Sequence, residues 1–161
     1  MTEQPKVSII TPSYNQARFL EQTMRSVLEQ DYPNLEYIVI DGGSKDDSRE
    51  IIQKYADRLA YWQSQKDKGQ TDAINQGFAR ATGEILAWLN SDDVFYPGAV
   101  SAAVRQLQQH PEVGMVYGNC HWINAEGKVI GDFPAAQTDL KKLRRGYVHI
   151  PQQTAFFRAE L

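Results

Sequence analysis

Short apolar, β-branched runs alternate along the chain with segments whose apolar residues recur at helical spacing. Val7-Ser8-Ile9-Ile10 reads as a strand stopped by Thr11-Pro12. From Ala17 to Gln30, residues Phe19, Leu20, Met24, Val27 and Leu28 lie near a helical repeat, which predicts a helix ended by Asp31-Tyr32-Pro33-Asn34. Glu36 to Ile40 is a second strand and runs into Asp41-Gly42-Gly43-Ser44. Asp46 to Asp57 predicts a second helix, with Ile51, Ile52 and Tyr55 inward and acids in its first turn that complement the helix dipole. Ala60-Tyr61-Trp62 is a short strand, Gly69 to Ala81 a third helix, and Ile85 to Leu89 a strand that ends in Asn90-Ser91-Asp92-Asp93. Pro97 opens a fourth helix that runs to His110, and Val113 to Gly118 is a fifth strand.

The order β-α-β-α-β-α-β implies an α/β fold, an open and mostly parallel sheet flanked by helices on both faces. After Tyr117 the pattern changes. His121-Trp122-Ile123 and Lys128-Val129-Ile130 flank Asn124 to Gly127 as a hairpin would. Leu140 to Arg145 is short and basic, and Ala155-Phe156-Phe157 reads as a last strand. No repeat, low-complexity tract or linker divides the chain, so residues 1–161 read as a single domain. Residues 1–118 form its ligand-binding α/β half, and 119–161 begin a second half.

Composition narrows the function. At 161 residues and 42% hydrophobic, the chain can bury one core. Its net charge of -3 argues against a nucleic-acid partner held by bulk charge. A single cysteine, Cys120, excludes an internal disulfide framework and a Cys-rich metal site and suits a reducing, cytoplasmic setting. The N-terminal segment has no signal-peptide pattern, and no apolar run approaches a membrane span. The expectation is a cytoplasmic protein, at most peripheral at the inner face of the membrane. Lys141-Lys142-Leu143-Arg144-Arg145 could touch an anionic lipid surface or a lipid diphosphate, although a solvated helix face is the plainer reading.

Ligands of open parallel sheets bind at the carboxyl ends of the strands. Three polar clusters fall there: Thr11-Pro12-Ser13-Tyr14-Asn15, Asp41-Gly42-Gly43-Ser44 and Asn90-Ser91-Asp92-Asp93. Asp41 can accept a hydrogen bond from a base N–H, or it can make an Asx-turn or cap the next helix. Ser44 and Asp46 can supply that cap, which would leave Asp41 for a ligand. Asp92 and Asp93 are adjacent acids whose repulsion a divalent cation would relieve. Mg²⁺ and Mn²⁺ suit such a site, and a solvated turn is the alternative. Lys68 to Gly77 is a loop entering a helix, where N–H groups could face a diphosphate. Asp72 and Asn75 share a face of that helix, as a ligand contact or as a first-turn acid beside a solvated Asn. Trp62 and Trp88 sit in strand patterns and read as core, and Trp122 is open to stacking on a sugar.

Thr11-Pro12-Ser13-Tyr14-Asn15, Asp41-Gly42-Gly43-Ser44, Asp67-Lys68-Gly69, Asp72 to Gly77 and Leu89 to Asp93 together resemble, in order, the blocks of the family 2 glycosyltransferases of the GT-A fold. The resemblance implies a nucleotide-diphosphate sugar donor, with UDP the default, a divalent metal and a glycan or lipid-linked acceptor. It implies that Thr11, Pro12, Tyr14 and Asn15 line the nucleotide pocket and that Asp41 holds the base. Lys68, Asp72 and Asn75 would lie near the sugar and phosphates, Asp92 at the ribose or metal, and Asp93 would be the chief metal ligand. It further implies inversion by one displacement, most often in bacterial surface polysaccharide assembly.

Inversion needs a general base. Similar sequences continue past a strand like Thr154 to Arg158 into a helix and an acidic motif that supplies it, so the base is expected beyond Leu161 and the chain reads as part of a longer protein. Asp132, Asp139 and His149 are the stand-ins within the chain, with His149 preferred. Gln152-Gln153 occupies a stretch where similar sequences carry His, and glutamine is no base at neutral pH. A non-catalytic nucleotide-sugar-binding module is therefore the rival reading. A nucleotidyltransferase would want a Gly-rich loop after the first strand, and Thr11 to Asn15 contains no glycine. Gly-x-Gly-x-x-Gly and P-loop motifs are absent.

Overall fold

A computed structural model describes residues 3–147 and 150–161. Its main sheet has six strands: β1 (Val7–Ser13), β2 (Leu35–Asp41), β3 (Tyr61–Ser64), β4 (Ile85–Trp88), β5 (Met115–Val116) and, later in the chain, β8 (Phe156–Arg158). The order is β3-β2-β1-β4-β8-β5. The first four strands are mutually parallel, and β8 lies antiparallel between β4 and β5. Between them run α1 (Ala17–Leu28), α2 (Ser48–Lys54), α3 (Gln70–Phe78) and α4 (Ala99–Gln109). A hairpin of β6 (Cys120–Ile123) and β7 (Val129–Phe133) and the short helix α5 (Leu140–Arg144) follow.

Alternation along the strands sorts the core into two layers. Val7, Ile9, Tyr37 and Val39 pack with Leu20, Met24, Ile52, Val104 and Leu107 of α1, α2 and α4 on one face. Ile10, Ile38 and Ile40 pack against Ala73 of α3, with Phe78 and Trp88 partly buried beside them. Helix α3 lies close to β1 because Gly77 sits against Ile10, where any Cβ would collide with the Ile10 side chain. Trp62 and Trp88 do pack against the two layers, and Trp122 is 57% exposed.

The fifth and last strands depart from expectation. The Val113–Gly118 run forms only two strand residues, and it does not pair with β4. The tie between β4 and β5 is made by β8, whose Arg158 is buried. Its guanidinium donates to the carbonyls of Leu107 (2.7 Å), Val113 (2.8 Å) and His110 (3.3 Å) at the C-terminal end of α4. The Leu107 and His110 carbonyls, at the end of α4, carry the negative end of the helix dipole, so a cation is favoured there. Among the described residues no helix is long and apolar enough to cross a membrane.

Candidate functional site

The ends of β1, β2 and β4 open onto a cleft of about 910 Å³. Its walls come from the three loops that follow those strands and from the loop that leads into α3. Pro12, Ser13 and Tyr14 form one side, Gly42, Gly43 and Lys45 the next, Lys66, Asp67, Gly69 and Gln70 the third, and Asn90, Ser91 and Asp92 the fourth. The hydroxyl of Ser13, at the end of β1, is buried and has no hydrogen-bond partner among the described residues. A buried hydroxyl without a partner is costly.

The loops are cross-tied. Asn15, at φ 52, accepts from Lys45 N through Oδ1 (2.9 Å), and its own N–H donates to Ser44 Oγ (2.8 Å). Gln70 Nε2 donates to Asn90 Oδ1 (2.8 Å) across the cleft. Asn90 Nδ2 donates to Asp93 Oδ2 and to Gln152 Oε1, both at 3.2 Å. Gln152 in turn donates to the carbonyl of Trp88 at the end of β4 (2.8 Å). Gln152 therefore acts as a brace behind the acidic turn.

That turn separates two cavities. Asp92 is exposed and lines the larger cleft. Asp93 is half-buried and lines a second cleft of about 350 Å³, walled by Phe95, Tyr96, Ala103, Val116, Cys120, His121 and Phe156. Burial, and next to it the charge of Asp92, push the Asp93 carboxyl above its ordinary range, against the opposing hydrogen bond from Asn90. The Cys120 thiol is likewise pushed up, by burial first and then by Asp93. Two carboxylates, one destabilised by the other, with oxygen donors only, fit Mg²⁺ or Mn²⁺. Among the described residues no three metal-binding side chains converge, so a bound diphosphate would have to complete the ligand set.

Several expected site residues border the larger cleft without being among the residues that line it. Asp41 is fully buried, and its carboxylate accepts from Gly43 N (3.2 Å), Ser44 N (2.9 Å), Ser64 Oγ (2.7 Å) and Ser44 Oγ. These bonds make a turn within its own loop, not a cap on α2, whose first N–H donates to Asp46 (3.1 Å). Ser44 is engaged with Asp41 itself, and Asp46 holds Ser48 while accepting from Ala17 N at the start of α1 (2.9 Å). Thr11 is also fully buried, and its hydroxyl accepts from Tyr37 (2.9 Å), whose phenol burial pushes well above its usual range. Thr11 and Asn15 do not line the cleft. Neither do Lys68, Asp72 and Asn75. Asp72 accepts from Lys68 N (3.1 Å) and Gln76 Nε2 (2.9 Å), closing the first turn of α3, and Lys68 and Asn75 are exposed.

Of the stand-ins for a base, Asp139 caps α5 by accepting from Lys142 N (2.8 Å). Asp132 contacts His121 Nδ1 at 2.8 Å across the β6–β7 hairpin. His149 lies outside the described residues. Sequence reasoning passed over Ser13, Lys45, Lys66 and Asp67 as ligand contacts, and it passed over the His121–Asp132 pair. Ser13 and Asp67 lay within the quoted blocks. His121 and Asp132 sit symmetrically about the hairpin turn, and that was the signal for their pairing.

Comparison with known proteins agrees with this architecture. An uncharacterized glycosyltransferase of Mycobacterium tuberculosis is 38% identical over 164 residues, covering 100% of this chain and 62% of the relative. The chain thus spans under two thirds of that relative's length. A GalNAc(5)-diNAcBac-PP-undecaprenol beta-1,3-glucosyltransferase of Campylobacter jejuni is 35% identical over 133 residues, covering 80% of this chain and 42% of the relative. Among solved structures, the mannosyltransferase PcManGT from Pyrobaculum calidifontis, in complex with GDP-Man and Mn²⁺, matches with a TM-score of 0.66 at 31% identity over 73% of this chain and 36% of its own. S. aureus TarS 1-349 in complex with UDP-GlcNAc matches with a TM-score of 0.78 over 96% of this chain and 45% of its own. At 22% identity it speaks for the GT-A fold alone. The family model for "Glycosyl transferase family 2" matches residues 8–159, nearly the whole span from β1 to β8, and the chain belongs to that family.

Proposed function

We propose that this chain binds a nucleotide-diphosphate sugar in the cleft at the ends of β1, β2 and β4, as the donor-binding part of an inverting glycosyltransferase. The observation that carries the reading is a cleft at three strand ends that presents Asp92 and two lysines, Lys45 and Lys66. Cations and loop N–H groups suit a diphosphate, and the strand-end position suits a nucleotide.

In the reaction, the bond between the anomeric carbon and the diphosphate oxygen breaks, and its electron pair stays on that oxygen. An acceptor hydroxyl forms the new bond from the opposite face, and its proton passes to a base. A divalent cation, when bound, would stabilise the charge that develops on the leaving diphosphate. Asp93 and Asp92 would hold it. Lys45 and Lys66 add positive charge at the same cleft. The second cleft, on the far side of the Asp92-Asp93 turn, gives the acceptor an approach from the opposite side of the acidic wall. A glycan or lipid-linked glycan acceptor and a role in bacterial surface polysaccharide assembly extend the same reading. So does a cytoplasmic setting, peripheral at the membrane.

A second reading, a nucleotide-sugar-binding module without transfer, is favoured by one observation: Asp139 and Asp132 are both engaged in local structure. The test is calorimetric titration of the chain with UDP, GDP and dTDP, with and without Mn²⁺, followed by turnover assays with the matching nucleotide sugars. Metal-dependent binding with turnover supports the enzyme, and binding without turnover supports the module. Absence of binding by all three nucleotides overturns both.

A further inference from the structure

The hairpin of β6 and β7 takes no part in the donor cleft, and one of its faces is aromatic. Its register pairs Cys120 with Phe133, His121 with Asp132 and Trp122 with Gly131. Alternation therefore puts Cys120, Trp122, Gly131 and Phe133 on one face and His121 and Asp132 on the other. Trp122 is exposed on its face. Its indole covers Gly131: a Cβ at that glycine would come within 2.9 Å of Cε3, so a larger residue would push the ring away. The ring also lies nearly parallel to Phe133, at 19° with centroids 6.1 Å apart.

The hairpin is held at both ends. At its root Gln153 Nε2 donates to Cys120 Sγ (3.0 Å). At its tip Asn124 Oδ1 accepts from Glu126 N (3.1 Å) and Lys128 N (2.9 Å), and Glu126 reaches Arg18 of α1 at 3.8 Å. A surface fixed in this way loses little freedom when a ligand settles on it. Cys120 shares the face of Trp122 and lines the second cleft together with Asp93. Two residues of strand cover about 7 Å, so the aromatic surface begins beside that cleft.

We infer that Trp122, backed by Gly131 and Phe133, is a stacking platform for a pyranose ring of the acceptor glycan, next to the sugar that reacts. This inference rests on the acceptor reading above and deepens it. One face of a pyranose presents C–H groups, which carry slight positive charge and bury apolar area against the negative face of an aromatic ring. An open-chain alditol has no such face.

The experiment is NMR titration of the isotope-labelled chain with methyl β-D-glucopyranoside, methyl β-D-galactopyranoside, N,N′-diacetylchitobiose and D-glucitol, up to about 50 mM. It compares the unaltered protein with Trp122→Ala, Trp122→Phe and Gly131→Ala, and thermal melts check that each variant is folded. The Trp122 indole signal is the one absent from Trp122→Ala. At least one pyranoside is expected to move that signal and the Gly131 and Phe133 amide signals saturably, while glucitol moves none of them. Trp122→Ala should weaken the binding about fivefold or more, read at the amides, and Trp122→Phe should keep part of it. Gly131→Ala should weaken it with the indole still present, because the ring has to move. Amide shifts that survive Trp122→Ala, a response to glucitol equal to that of the pyranosides, or no shift with any saccharide each overturn the inference. An indole signal that moves with protein concentration in the absence of sugar assigns the face to a second copy of the chain and also overturns it. Nucleotide titration reads the donor cleft separately. Saccharide binding at Trp122 without nucleotide binding leaves the platform and overturns the donor-site reading, and nucleotide binding without saccharide shifts does the reverse.

Discussion

The Asn90 side chain donates to Asp93 Oδ2 at 3.2 Å and, through the same nitrogen, to Gln152 Oε1 at 3.2 Å, so the acidic turn after β4 is held from behind by the segment that leads into β8. Asn90→Ala removes both bonds and lets Asp93 reorient. The expected outcome is a fold that still melts cooperatively, with metal-dependent nucleotide binding about tenfold weaker, read by calorimetry with and without Mn²⁺.

Asp93 illustrates function held against stability. Its carboxyl is raised by burial and then by Asp92, so the folded protein holds the Asp93 proton more tightly than the unfolded chain does. At neutral pH the ionised group therefore opposes folding, and that opposition fades as the pH falls through the raised value. Asp93→Asn should raise the unfolding free energy by about 1 kcal/mol at pH 7 in urea titrations. The same variant should abolish metal-dependent binding. A loss of stability instead would show that the Asp93 charge is already compensated inside the protein.

Asp41 should behave as a structural residue. It takes hydrogen bonds from two backbone N–H groups and two hydroxyls while fully buried. Asp41→Ala leaves those donors without partners and should cost about 2–4 kcal/mol in denaturant unfolding. Its loss of nucleotide binding should track its loss of fold.

Arg158 is a buried cation satisfied by the carbonyls of Leu107, Val113 and His110. Arg158→Ala strips the cap from α4 and removes the bond to the Val113 carbonyl, while the backbone pairing of β8 with β5 stays. The expected loss is about 2–4 kcal/mol, with a lower melting temperature. Lysine should restore only part of it, because one ammonium does not span the three carbonyls as the guanidinium fork does.

Acid sensitivity should trace to Glu36. Burial opposes its charge, but hydrogen bonds from Ser8 Oγ, Thr82 N (2.7 Å) and Thr82 Oγ1 (2.7 Å), helped by Lys6, hold the carboxyl below its ordinary 4.5. The folded value is the lower one, so the stabilisation is complete above about pH 4.5 and is lost as pH falls through the folded value. Glu36→Gln should lower stability at neutral pH and flatten the decline between neutrality and pH 3, followed by thermal melts across that range. An unchanged decline would assign the acid sensitivity to other groups.

Much of this was legible in the chain itself. Apolar runs at strand and helix spacing gave the α/β class and the order of β1 to β4, and the five motif blocks gave the family. Even the burial of two expected ligand residues was readable. Thr11 continues the parity of Val7 and Ile9, and Asp41 that of Tyr37 and Val39, so strand alternation places both on the face covered by α1, α2 and α4.

Tertiary structure alone decided the rest. The insertion of β8 between β4 and β5 joins residues far apart in sequence, and no local pattern encodes such a pairing. Which carboxylate faces the cleft was decided by the approach of the α3 entry loop to Gly42, since that approach sets Asp67 in the position left open when Asp41 turned into its own loop. The sequence determines which polar residues reach the strand ends, because alternation and strand length are local. It does not determine which of them keep a free lone pair there, because hydrogen bonds from other loops satisfy them, and only the packed chain brings those loops together.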